Sequence, residues 1–64
     1  MLVNAEAAKV EAWRLYELIE AGFPIPLAER LAVDRAVDLH VAVDLAKKVQ
    51  AKGLSPRVAF EILA

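Results

Sequence analysis

The chain has 64 residues, a net charge of −1 and no cysteine, and 59% of its residues are apolar. A chain of this length makes one domain that buries only roughly 60% of its unfolded surface, which excludes a two-layer enzyme cleft. Acidic and basic residues are interspersed, so the positive field typical of a nucleic-acid binder is not expected. The composition predicts a single domain over residues 1–64 that is not an enzyme and takes no small-molecule substrate, cofactor or metal.

The chain also lacks the sequence signals of export and membrane insertion. Its amino terminus has no basic stretch followed by an apolar core, and no window approaches roughly eighteen uncharged apolar residues. The absence of cysteine suits a reducing compartment. We expect a cytoplasmic protein, or a virion protein if a phage encodes it, with no membrane partner.

The first predicted helix runs from about Asn4 to Ala21. Asn4 is a favourable N-cap residue, and Gly22 is typical of the position after a helix. At about 100° per residue, one stripe of this helix is apolar, and we expect it to face the core. The stripe consists of Ala8, Ala12, Leu15 and Ile19, with Ala5 and Tyr16 beside it.

The second predicted helix begins around Pro24 to Pro26, where the missing proline amide does no harm, and runs to about Val33. Asp38 is predicted to cap a third helix over about Leu39 to Lys52, which Gly53 ends. The residues expected to face the core are Leu27, Ala28 and Leu31 in the second helix, and Leu39, Ala42, Leu45, Ala46 and Val49 in the third.

The fourth predicted helix spans about Pro56 to Leu63, with Ser55 as its N-cap. An offset of 31 residues superposes the turn before the second helix on the turn before the fourth. Each copy places an apolar residue after a glycine, and an alanine in the helix that follows. The matched pairs are Gly22 and Gly53, Phe23 and Leu54, Leu27 and Val58, Ala28 and Ala59, and Leu31 and Ile62. Two copies are too few to predict a solenoid.

The segment from Leu15 to Leu45, LYELIEAGFPIPLAERLAVDRAVDLHVAVDL, resembles the ubiquitin-associated (UBA-like) domain. In that family a glycine-aromatic turn joins the first two helices and an alanine packs in the second, as Gly22-Phe23 and Ala28 do in this sequence. The resemblance implies an all-α bundle of four helices, with the first three arranged in the UBA-like manner and a short fourth helix packed on them. Ubiquitin binding is not implied, because Ala21 stands where the ubiquitin-binding members usually have methionine.

A second resemblance concerns the carboxyl-terminal half of the chain. The run AVDLHVAVDL, together with KGLSPRVAFEIL, is similar to small uncharacterised proteins of actinobacteria and their phages. This likeness implies a bacterial or viral source and no particular activity.

Two polar groups invite a chemical interpretation. His40 and Asp44 lie four residues apart on one helix face, the spacing of two metal ligands or of a base with its carboxylate. No second histidine or cysteine completes such a site, so a solvent-exposed pair is favoured. Ser55 directly precedes Pro56 and is expected to be a helix cap rather than a nucleophile.

A helix-turn-helix DNA-binding regulator is the alternative function. The segment from Pro26 to His40 begins like the first helix of many repressors. The exposed face of the next helix would present Asp38 and Asp44 to the phosphates, with little basic support. Nucleic acid is therefore not the expected partner.

The sequence holds more apolar residues than one small core can bury. Val3 and Val10 lie opposite the predicted core stripe of the first helix, and the fourth helix is apolar almost all round. A flanking tryptophan is typical of interface anchors. We expect a non-catalytic protein–protein interaction module, an adaptor or a small structural component of a bacterial or phage assembly, that binds a protein partner or itself. The candidate partner-binding residues are Val3, Val10, Trp13, Gly22, Phe23, Phe60 and Leu63.

Overall fold

The computed structural model describes the backbone of residues 5–63 and the side chains of residues 8–63. Over this range the chain forms four α-helices: α1 (Ala5–Glu20), α2 (Ile25–Val33), α3 (Leu39–Ala51) and α4 (Pro56–Leu63). The predicted all-helical class and the breaks between helices are confirmed for this part of the chain. The predicted cap at Asn4 lies outside the described residues.

The predicted start signals of α3 and α4 are confirmed. The Asp38 carboxylate accepts hydrogen bonds from the amides of His40 at 2.8 Å and Val41 at 3.2 Å, and so caps α3. The Ser55 hydroxyl accepts one from the amide of Arg57 at 3.2 Å, in the first turn of α4. These short-range bonds fix where both helices begin.

The end of α1 is a Schellman turn, in which two amides after the helix bond back to its last carbonyls. The amide of Gly22 donates to the carbonyl of Ile19 at 3.0 Å, and that of Phe23 donates to the carbonyl of Leu18 at 3.1 Å. The turn needs a left-handed residue, and Gly22 supplies it with a φ of +112°. The side chains of Leu18 and Phe23 are both buried beside the turn.

The end of α3 repeats this turn 31 residues later. The amide of Gly53 donates to the carbonyl of Gln50, and that of Leu54 donates to the carbonyl of Val49, each at 2.9 Å. Gly53 has a φ of +79°. The repeat seen in the sequence is therefore a repeat of backbone geometry, in which a glycine ends one helix and a second helix starts soon after.

The four helices pack as two hairpins. α1 packs mainly on α2, and α3 packs mainly on α4, while smaller contacts between α1 and α3 and between α2 and α4 join the two hairpins. The result is elongated, with extents of 47 × 19 × 18 Å. In the described part of the chain, no helix combines the length and apolar composition that crossing a bilayer requires.

The core runs through both hairpins and is lined with alanine at the places where helices meet. Ala28, Ala42, Ala46 and Ala59 are fully buried. Every residue predicted to face inward from α2 and α3 is buried or half-buried, which confirms those two faces. The remaining buried residues are Leu18, Ala21, Phe23, Leu31, Ala32, Val37, Leu39 and Val49.

The predicted inward face of α1 is wrong. Ala8, Ala12 and Tyr16 are exposed, Ile19 is at the edge of exposure, and Leu15 alone of the predicted stripe packs against the core. Leu18 is the fully buried residue of this helix. The helix is thus turned by about 90° from the predicted orientation, which leaves the alanine stripe outside.

Arg14 accounts for this orientation. Its guanidinium donates to the carbonyl oxygens of Ala32 at 3.1 Å, Leu31 at 3.3 Å, Asp34 at 3.2 Å and Val37 at 2.8 Å. α2 ends without a glycine, so its last carbonyls have no Schellman partner, and a cation is favourable at this negative helix end. Satisfying these acceptors requires the Arg14 side of α1 to face α2.

We expect Arg14→Ala to lower the free energy of unfolding by about 2–3 kcal/mol, since it removes a charged donor from several carbonyls at once. Arg57→Ala is the control, because Arg57 makes only an exposed ion pair with Glu61 at 3.6 Å and contributes less than about 1 kcal/mol. Urea unfolding followed by circular dichroism measures both. Equal losses would contradict a special role for Arg14.

The two turn glycines form a matched pair for a second test. Gly53→Ala is expected to cost about 1–2 kcal/mol, the penalty of a left-handed Cβ, because no atom lies within 4 Å of the new Cβ. Gly22→Ala places its Cβ 2.8 Å from the Gln50 Oε1, so it also displaces the Gln50 amide that donates to the Ala21 carbonyl at 2.7 Å. We expect an additional loss of about 1 kcal/mol.

A double-mutant cycle isolates this extra cost. In a Gln50→Ala background, the displaced amide no longer exists, and the two glycine substitutions should have similar effects on urea unfolding. A difference that persists in that background would show that the Gln50 contact is not its cause.

Candidate interaction surfaces

The structure separates the predicted partner-binding residues into three groups. Val10 and Trp13 are each 52% exposed, and Gly22 is exposed at its turn. Phe23 is 2% exposed and belongs to the core, so its side chain is not available to a partner. Phe60 and Leu63 are half-buried and pack against the core, and Val3 lies outside the described residues.

Trp13 lies between two shallow grooves, and we call this region the Trp13 surface. One groove runs between α1 and α3 and is lined by Trp13, Leu39 and Val43. The other lies beside the connection from α2 to α3 and is lined by Trp13 and Arg35. His40 borders both grooves. The surface thus has an aromatic centre and a polar rim, the usual organisation of a protein-binding patch.

On α4 the exposed apolar residues differ from those that the sequence suggested. Because Phe60 and Leu63 turn toward the core, the solvent side of this hairpin presents Ile62, which is 63% exposed, and Leu54, which is 48% exposed. Only Ala59 of α4 is fully buried. An apolar patch therefore exists on the second hairpin, but it is made by other side chains.

A third surface lies on the opposite side of the molecule, in the groove between α1 and α2. Ala8, Ala12, Leu15 and Val33 line this groove, with Glu11 and Glu29 at its edges. Its floor is the alanine stripe that the sequence predicted to be core. Small side chains on α1 leave this groove open.

The predicted pair of His40 and Asp44 does not form. The Asp44 carboxylate instead pairs with the Lys48 ammonium at 2.9 Å, and the acid nearest to His40 is Asp38, at 3.9 Å. All of these side chains are exposed. Among the described residues, no group of three histidine, cysteine or carboxylate side chains is placed to hold a metal ion.

The sequence reading missed two polar residues that organise these surfaces. Arg14 caps α2, and Gln50 donates to the carbonyl of Ala21 at 2.7 Å across the two hairpins. A signal for Arg14 exists in the sequence, since it lies one turn before Leu18 and α2 has no glycine after its last turn. Gln50 carries no such signal, because its partner is 29 residues away.

Comparison with family models, with curated proteins and with solved structures finds no significant match for this chain. The functional argument therefore rests on the geometry of the surfaces.

His40 should bind metal no better than an isolated exposed histidine does. We expect calorimetric titration with Zn²⁺ to show no binding tighter than about 1 μM, because no second nitrogen or sulfur ligand is close. His40→Ala is the matched variant and should give the same titration. Stoichiometric submicromolar binding that disappears in this variant would overturn the prediction.

Proposed function

We propose that the protein is a non-catalytic protein–protein interaction module, an adaptor or a small structural component of a bacterial or phage assembly. The observation that carries the proposal is the exposure of Trp13. An exposed tryptophan between two grooves offers a large rigid contact area, and such residues dominate the binding energy of protein interfaces.

Two further observations support binding rather than catalysis. Among the described side chains, none of the buried residues is polar or charged, whereas a substrate site needs several converging polar groups in a concave pocket. The grooves at Trp13 are shallow and bordered by charged residues on α3, as expected for a protein partner.

The UBA-like arrangement of the first three helices is part of this proposal. The turn at Gly22-Phe23 and the buried Ala28 support it. α2 contacts α4 more than α3, so the proposed binding surface is taken from the exposed residues and not from that family.

The helix-turn-helix alternative has less support. The outer face of α3 mixes both charge signs, and Lys48 is paired with Asp44. Arg14 is engaged with backbone carbonyls and does not add to a basic surface. Few cations are left for phosphates, on which DNA affinity depends.

Trp13 is the sole tryptophan of the chain and reports directly on partner binding. Proteins retained by the immobilised chain from a bacterial lysate are purified and titrated against it singly. We expect a true partner to shift the Trp13 emission to shorter wavelength, since it covers the indole. Trp13→Ala should weaken binding, measured calorimetrically, by about 30-fold or more, which corresponds to about 2 kcal/mol.

Ile25→Ala is the control, because Ile25 is exposed to a similar degree and lies on α2, away from Trp13. It should bind as the wild type does, and circular dichroism should show that both variants keep their helix content. Partners that bind the Trp13→Ala and wild-type chains equally well would refute the proposed surface.

A further inference from the structure

The two hairpins are structural repeats whose inner contacts correspond. At the offset of 31 residues, Leu18 of α1 matches Val49 of α3, and Ala28 of α2 matches Ala59 of α4. All four side chains are buried. Each hairpin is therefore closed internally by the same positions.

The hairpins differ on the side that we call the front face. In the first hairpin, Phe23 and Leu31 are each 2% exposed. Their matches in the second hairpin are Leu54 and Ile62, which are among the most exposed apolar residues of the described chain. The front face is thus covered in the first hairpin and open in the second.

The opposite side, the back face, shows the reverse. In the second hairpin Leu39 is buried, and Val43 and Phe60 are half-buried against the core. The matches of Leu39 and Val43 are Ala8 and Ala12, which are exposed in the groove between α1 and α2. The back face is covered in the second hairpin and open in the first.

The chain therefore already contains one contact between a front face and a back face. The second hairpin places its back face on the front face of the first, with Gln50 donating to the carbonyl of Ala21 across the junction. Because the two sides of this contact use different positions, it is heterologous, and it leaves one unused face of each kind.

We infer that the open front face of one copy, centred on Ile62 and Leu54, packs into the open back groove of a second copy, lined by Ala8, Ala12, Leu15 and Val33. The occupant is a second copy because the groove is the repeat-equivalent of a face that this same chain covers with a front face. The small alanines of the groove leave room for the larger Ile62 and Leu54.

Charge favours the same pairing. The open back groove has Glu11 and Glu29 at its edges, where the covered back face has Ala42 and Phe60. The open front face has Lys52 at the repeat position of the buried Ala21. Acidic residues on one open face and a basic residue on the other favour head-to-tail association and discourage pairing of like faces.

This association is independent of the proposed partner surface. Trp13 lies about 100° around α1 from Ala12, so it stays accessible when the back groove is filled. A heterologous contact repeats from copy to copy and gives an open chain or a ring. The protein would thereby display many Trp13 surfaces in one assembly.

Two variants test the inference, each blocking one face with a charge that the other face repels. Ile62→Glu blocks the front face, and Ala12→Lys blocks the back groove. Both residues are exposed, so both variants should keep the wild-type helix content by circular dichroism. In sedimentation velocity up to about 1 mM, the wild type should form species beyond a dimer, and each variant alone should associate at least about tenfold more weakly.

The mixture of the two variants is the decisive measurement. Each supplies the face that the other lacks, so an equimolar mixture should form a one-to-one heterodimer that grows no further. A two-fold symmetric dimer would instead leave one variant fully dimeric and the mixture without heterodimers, which would overturn the inference. Ile25→Glu, an apolar-to-acid change on neither face, should associate as the wild type does.

Two other results would also refute the inference. One is a wild-type chain that stays monomeric up to about 1 mM. The other is association that Trp13→Ala abolishes while the two face variants leave it intact, since this would assign self-association to the Trp13 surface. Partner binding measured by Trp13 emission does not depend on either outcome, so the two proposals fail separately.

Discussion

The guanidinium of Arg14 is the interaction on which the arrangement of the helices depends. It joins the middle of α1 to the end of α2 and to the connection that leads into α3, through four backbone carbonyls. α2 is short, and short helices have little stability of their own in water. A charged donor at its end stabilises the helix and also fixes which side of α1 faces it. The orientation of the other apolar residues of α1 follows from this contact.

The paired glycine turns explain why the molecule is built from two hairpins. A Schellman turn reverses the chain within a few residues and brings the following helix back along the one that it ended. Its use at Gly22 and again at Gly53 makes α1 with α2, and α3 with α4, local units. The contacts between the hairpins are fewer, so the junction at Gln50 and Ala21 is important for holding the two units in one domain.

Alanine at the helix contacts determines what is left for function. Ala28, Ala42, Ala46 and Ala59 let the helices approach closely, and each buries little apolar area. The larger apolar residues therefore lie at the rims, where Val10, Trp13, Leu54 and Ile62 remain exposed. A small domain with this distribution gains stability when another surface covers its rims, which links its composition to a role in binding.

The sequence by itself determined the bounds of the helices, because prolines, the caps at Asp38 and Ser55, and the turn glycines act within a few residues of their own position. It also determined the inward faces of α2 and α3, where one face is clearly apolar. Only the tertiary structure decided the inward face of α1 and the residues exposed on α4. α1 has apolar residues on more than one side, so periodicity cannot choose between them, and the choice is made by carbonyls that lie 17 to 23 residues from Arg14.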